Sequence, residues 1–327
     1  MNGAPPPTSD AAPVDRAAIE WLLASDEPGI RLQARRDLLD EEAPKDTAAV
    51  LDGPRIRALF EGQKPDGGFG VHPYQKWLGA HWRLVSMVEL GVPAGEPRAL
   101  AAYETVLDWL SGSAHRKNVP LIEGRARRCA SQEGNALAVG CRLGRATDPR
   151  VALLAESLIG WQWPDGGWNC DRRARATHSS FNETVTPLWG LAEYARATGD
   201  RAATTAAHRT CELLLDHRVY LSHRTGKVDN RLWLDQRYPP YWRYDFIQGL
   251  LMLSRAGALP DSRAGKALDL LCEQQGADGR WHLAGRPMWS TGPRTQREAV
   301  DWGRSGPSQM LTLNALRILR AAGRSLL

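Results

Sequence analysis

The stretch Trp161-Gln162-Trp163-Pro164-Asp165-Gly166-Gly167-Trp168 decides the fold of this chain, because its pattern is written twice more. Gln63-Lys64-Pro65-Asp66-Gly67-Gly68-Phe69 and Gln275-Gly276-Ala277-Asp278-Gly279-Arg280-Trp281 keep its order of Gln, Asp-Gly and an aromatic. An amphipathic apolar segment precedes each copy: Ile56 to Phe60, Leu153 to Ile159 and Ala267 to Leu271. Each unit therefore reads as helix, Asp-Gly turn, aromatic. Glycine accepts the positive φ that stops a helix, and the Asp side chain bonds the backbone beyond it. Two weaker copies keep the helix without the Gln-Asp-Gly ending: Val106 to Leu110 before Ser111-Gly112-Ser113, and Cys211 to Leu215 before Asp216-His217. With Ile19 to Leu23, six such helices recur about every 40–60 residues, within or just beyond the usual range for helical repeats.

A second helix follows each turn. Five of these close on a glycine, at Gly91, Gly144, Gly199, Gly257 and Gly323, and the remaining one is Arg31 to Leu39. About six helix pairs without strands predict an all-α chain. The pairs can form an open solenoid or close into an (α/α)6 toroid; closure removes the terminal apolar faces that a solenoid must cap, and the toroid is the expectation. It occupies residues 15–327 as a single domain. Residues 1–14, rich in Pro and Ala, lack apolar periodicity and read as a disordered N-terminal tail.

Composition excludes several classes. No apolar run approaches the roughly 18 residues of a membrane span, and no signal peptide is visible. The cysteines Cys129, Cys141, Cys170, Cys211 and Cys272 sit singly in sequence, which reads as reduced thiols in a cytoplasmic protein. A net charge of +5 is mild, and the arginines scatter over helix exteriors, so nucleic acid is not the expected partner. Two arginine clusters, Arg125, Arg127 and Arg128, and Arg172, Arg173 and Arg175, fall in equivalent inter-helix segments, where they read either as a basic rim or as solvated surface.

The segment Trp161 to Trp168, followed by Asn182-Glu183-Thr184 and Leu188-Trp189-Gly190-Leu191, resembles the Q-x-x-D-G-x-W repeat of squalene–hopene and oxidosqualene cyclases. The β subunits of protein prenyltransferases share that repeat and its toroid. The resemblance is strong at residues 149–199, clear at 54–91 and 262–282, and faint elsewhere. It implies a structural role for Gln63, Gln162, Gln275, Phe69, Trp168 and Trp281, which in that superfamily tie neighbouring outer helices together. The chain departs from the family where chemistry resides. It lacks the Asp-x-Asp-Asp acid motif of the cyclases, and its length is about half that of a two-domain squalene cyclase. The Asp-x-Cys zinc pair of the prenyltransferases has no match, since Cys170-Asp171 is adjacent and reversed, with His178 nearby. These three groups lack the short paired spacings of zinc sites, so neither a metal nor another cofactor is assigned.

In a toroid the second helices face the centre, and their N-terminal turns carry the candidate site. They read His81-Trp82-Arg83, Ser131-Gln132-Glu133 with Asn135, His178 to Glu183, Tyr241 to Asp245, and Ser305 to Gln309. Capping explains Ser131, Ser179 and Ser308. It does not explain bulky runs such as Tyr241-Trp242-Arg243-Tyr244-Asp245. Asp245 and Glu183 are the expected acid and base, because a partly desolvated carboxyl holds its proton to higher pH. His178 is expected to relay a proton or orient Glu183. His81, Trp82, Glu133, Phe181, Trp242 and Tyr244 are expected to bind substrate. Of the thirteen tryptophans, Trp77, Trp161, Trp163, Trp168, Trp281 and Trp289 read as packing, and Trp82, Trp189 and Trp242 as inward-facing.

The functional expectation is a terpene-cyclase-like enzyme. It would perform acid/base cyclisation, isomerisation or elimination on an apolar, isoprenoid-type small molecule. A toroid that binds a ligand or partner without catalysis is the alternative, and a zinc-assisted, prenyltransferase-like transferase is a third reading.

Overall fold

Gly67, Gly166 and Gly279 take φ angles of +84°, +97° and +75°. Each Asp-Gly pair therefore turns the chain through the left-handed region that only glycine enters without strain, a few residues beyond the helix ends at Phe60, Trp161 and Glu273. The structure, a computed structural model, describes residues 13–117, 119–285 and 298–324. Trp289 and residues 1–12 of the expected tail lie outside the described residues.

Helix accounts for 55% of the chain, in fourteen α-helices among the described residues. They are α1 (Pro13–Leu23), α2 (Pro28–Leu39), α3 (Pro44–Ala49), α4 (Pro54–Phe60), α5 (Ala80–Glu89), α6 (Pro97–Ser111) and α7 (Ser113–Arg116). The second half holds α8 (Ser131–Arg142), α9 (Pro149–Trp161), α10 (Phe181–Thr198), α11 (Arg201–Asp216), α12 (Phe246–Arg255), α13 (Gly265–Glu273) and α14 (Gln309–Ala321). Among the described residues strand is confined to two short antiparallel ladders, Leu121–Ile122 with Arg125–Ala126 and His282–Ala284 with Ser305–Pro307. The sequence reading missed both, because two or three residues carry no period-2 signal.

The second helices pack in succession: α5 on α8, α8 on α10, α10 on α12, α12 on α14, and α14 on α2. The step from α2 to α5 is made by Gln33, whose Nε2 donates to the Glu89 carbonyl at 3.0 Å. The closest of these contacts is α8 on α10, where backbones touch. A Cβ on Gly134 would lie 2.4 Å from the Pro187 nitrogen, and one on Gly190 would lie 2.5 Å from the Gly134 carbonyl oxygen. Glycine is required at both positions by this approach.

The repeat acts as a staple. Gln63, Gln162 and Gln275 each donate Nε2 to the carbonyl of the turn glycine four residues on, all at 3.0 Å. Gln162 also reaches the next outer helix at Ala206 O (2.8 Å), as Gln63 reaches Arg98 O (2.8 Å). Trp168 and Trp281 are buried and donate their indole N–H to Leu158 O and Leu271 O, both at 2.9 Å and both ten residues back. Their own amides donate to Thr184 Oγ1 and Thr312 Oγ1 on the following helices. Phe69 has no N–H to offer; it is half-buried, with the Arg83 guanidinium 4.1 Å from its ring centre.

Replacing Gln162 with Ala leaves turn and helix carbonyls with fewer donors. The expected cost is about 1–3 kcal/mol, read as a melting temperature lowered by about 2–6 °C in thermal unfolding followed by circular dichroism. An unchanged melting temperature would show that the staple is dispensable.

Candidate active site

Asp245 stands just before α12 with extended backbone, and its Oδ1 accepts the Gln248 amide at 2.8 Å. This is an ordinary N-cap, but its surroundings are not ordinary. The residue is 4% exposed and lines a cavity with Asn135, Trp189, Tyr241 and Gln248. Room for water-sized occupants in the cavity is ≈ 60 Å³, space for a few waters. Burial pushes the Asp245 carboxyl up to about 7; the Gln248 and Ile247 amides and Arg237 work against that shift, and Asp235 adds to it. Gln248 Oε1 is buried without a hydrogen-bond partner among the described residues. On the same wall Glu89 and Arg255 form a 2.7 Å ion pair, each side chain about nine-tenths buried.

His81 reaches this cavity at one remove. It is 2% exposed, and its Nε2 lies 3.3 Å from Nδ2 of the cavity residue Asn135. Burial lowers its pKa to about 3, so the ring is neutral at physiological pH. Trp82 belongs to a small aromatic cluster with Trp77 and Tyr241, and Tyr241 stacks on Trp77 at 4.1 Å. Trp242 is half-buried on the edge of that cluster, with the Lys76 ammonium 5.2 Å from its ring centre. Phe181 and Tyr244 form a different aromatic group with Trp233, and the Tyr244 hydroxyl donates to Val219 O at 2.5 Å. The structure therefore divides the expected substrate wall between two aromatic clusters.

Glu183 and Glu133 gather beside the cavity and are not among the residues that line it. Glu183 is 8% exposed; its Oε2 accepts the Ser131 amide at 3.1 Å, and its Oε1 accepts the Cys170 thiol at 3.4 Å. Its pKa is raised by desolvation, against the hydrogen bonds from Ser131 and Cys170. Glu133 is buried and lies 2.8 Å from the His115 Nε2. His178 is exposed, and its backbone carbonyl, which accepts Asn169 Nδ2 at 2.8 Å, is its described hydrogen bond. Groups on Glu183 in the place foreseen for His178 are Ser131 and Cys170. Tyr74 links the two regions, with its ring 5.3 Å from His81 on one side and its hydroxyl in the field of Glu183, Cys129 and Cys170 on the other.

Several expectations change here. Ser131 and Ser179 are not N-caps: the cap of α8 is Ala130 and that of α10 is Ser180, while Ser179 donates to Asp165 at 2.6 Å. Ser308 does cap α14. Arg127 is buried over Trp163 and donates to Ala176 O at 2.8 Å, so it fastens loops together, whereas Arg172, Arg173 and Arg175 are exposed. Sequence reasoning placed Asn135 among the polar residues at the start of α8, but it missed Gln248 and the Glu89–Arg255 pair, which stand inside helices with no local signature. It also missed that Cys129 and Cys170 are neighbours.

No family model matches the sequence, and no curated protein does. Among the described residues, no helix is long and apolar enough to cross a membrane.

The raised Asp245 pKa carries a sign. The folded state holds this proton to about 7, the unfolded chain only to about 4. Stability is therefore highest below about pH 4 for this group and falls as pH rises toward 7, by up to about 4 kcal/mol. Asn at this position keeps a cap acceptor and cannot ionise. Denaturant unfolding should show D245N equal to the parent near pH 4 and more stable than it near pH 8. Parallel stability curves for the two proteins would refute the burial cost.

Proposed function

We propose that the helix pairs close into an (α/α)6 toroid and that the protein is an enzyme moving a proton on an apolar, isoprenoid-type small molecule at Asp245. The contact of α14 with α2, which joins the ends of the chain, supports closure. The observation that carries the function is Asp245 itself. It is a buried carboxyl poised near 7 in a cavity whose other walls include Trp189 and Tyr241.

A carboxyl with a pKa near the working pH is populated in both protonation states, so the one group can serve as proton donor and as proton acceptor. Protonated, Asp245 would add a proton to a carbon–carbon double bond. Ionised, it would remove one from the carbocation that follows, giving isomerisation, cyclisation or elimination. The faces of Trp189 and Tyr241, with Trp77 and Trp82 behind Tyr241, favour positive charge developing on the substrate. Gln248 Oε1 would orient a polar end of the ligand. A ligand larger than a few waters requires the cavity, one wall of which is the segment 237–241, to widen.

The narrowness of the cavity favours a second reading, a toroid filled by its own side chains that serves as a binding scaffold. One experiment separates them. Lipid extracts from cells expressing the parent or D245N are compared by mass spectrometry, and purified protein is then incubated with the altered compounds. Enzyme function predicts a product whose formation drops by about 100-fold or more in D245N while the helical spectrum is unchanged. Equal product from both proteins would remove Asp245 from the chemistry, and no altered compound at all would leave the scaffold reading.

A further inference from the structure

Cys129 and Cys170 are 41 positions apart in sequence (170 − 129), on the segments that lead into α8 and α10. Three devices hold the segments together. Residues Arg127 and Asn169 pair as a parallel β-bridge. Arg127 donates to Asp171 O and Ala176 O across the gap, at 3.1 and 2.8 Å. The Ser131 amide fixes Glu183 by one oxygen at 3.1 Å and leaves the other directed to Cys170. As a result Cys129 Sγ, Cys170 Sγ and a Glu183 carboxylate oxygen all lie within 4.8 Å of one another.

From this geometry we infer that Cys129, Cys170 and Glu183 form a three-ligand site for a thiophilic divalent cation, zinc(II) foremost, with a fourth position left for a small ligand. Tetrahedral zinc bonds of about 2.3 Å to sulfur and about 2.0 Å to oxygen set sulfur and oxygen ligands about 3.5 Å apart, and two sulfurs about 3.8 Å apart. Cys170 Sγ and Glu183 Oε1 already stand at 3.4 Å. Two thiolates select zinc over magnesium or calcium, which prefer oxygen. The Ser131 amide and the Arg127 clamp supply the orienting contacts that metal ligands need. Both cysteines are half-buried, so the site is reachable from solvent, while Glu183 forms its floor. Binding replaces the two thiol protons, which leave to the buffer. The site is distinct from the Asp245 cavity and does not depend on the reaction proposed there.

The test uses the full chain, reduced and stripped with a chelator, then titrated with zinc(II) against a chromophoric competitor and with cobalt(II) in parallel. The expected result is one equivalent bound with a Kd below about 1 μM and a cobalt spectrum showing thiolate charge transfer and tetrahedral d–d bands. C129S and C170S should each weaken binding by more than about 100-fold, and E183Q by about 10- to 100-fold. C272S, a control at an exposed thiol, should bind as the parent does. Zinc should also protect two thiols of the parent from maleimide, a reading that needs no variant to fold. Binding weaker than about 1 μM, a cobalt spectrum without thiolate charge transfer, or loss of binding in C272S alone would overturn the site. So would a reduced protein that takes up no metal and instead forms a Cys129–Cys170 disulfide on mild oxidation.

Discussion

A helix that stops leaves its last carbonyls without donors, and this chain answers that constraint with side chains from the turn that follows. The indoles of Trp168 and Trp281 fold back onto Leu158 O and Leu271 O, while Gln63, Gln162 and Gln275 close the turn glycines. Because the same Gln amides also reach the next outer helix at Arg98 and Ala206, one side chain ends a helix and sets its neighbour's position. The amides of Trp168 and Trp281 then bond Thr184 and Thr312, so the second helix of each pair is registered from the same turn. Everything at the centre depends on that registration.

The second helices sort their charges by end. Glu133, Glu183 and Asp245 stand at or in the first turns of α8, α10 and α12, where unpaired amides and the helix dipole favour negative charge. Arg142, Arg255 and Arg317 stand toward the far ends of α8, α12 and α14, where they meet Glu193, Glu89 and Asp37. The arginine end is neutralised by these pairs. At the acid end Asp245 has no salt-bridge partner among the described residues and Glu183 is met by an amide and a thiol, so both carboxyls hold protons to higher pH. The proposed proton transfer and the proposed metal site both lie where the helices begin.

The polar groups at that end form two centres connected by aromatic and imidazole rings. Asp245 faces a narrow apolar cavity, Asn135 on its wall touches His81, and His81 packs on Tyr74. Tyr74 in turn lies by Cys129, Cys170 and Glu183. The neutral, buried His81 ring joins the two centres without adding charge to either. The Asp245 cavity and the cluster of Cys129, Cys170 and Glu183 thus share one end of the molecule while each keeps its own electrostatics.

By itself the sequence determined the helices, the three Asp-Gly turns and the partners of their glutamines, since these follow from φ at glycine and from donors within a few residues of their acceptors. It also singled out Asp245, Glu183, His81 and Glu133 among the polar residues at the starts of the second helices. Tertiary structure alone decided which of them meet. His178 and Glu183 are five positions apart, yet the His178 ring is exposed and the partner of Glu183 is Cys170, thirteen positions back. Gln248 and the Glu89–Arg255 pair carry no local signal, because what they meet lies on other helices. Helix ends are written in local chemistry and can be read one turn at a time. A site shared by several helices exists only after their packing has fixed which side chains lose water together.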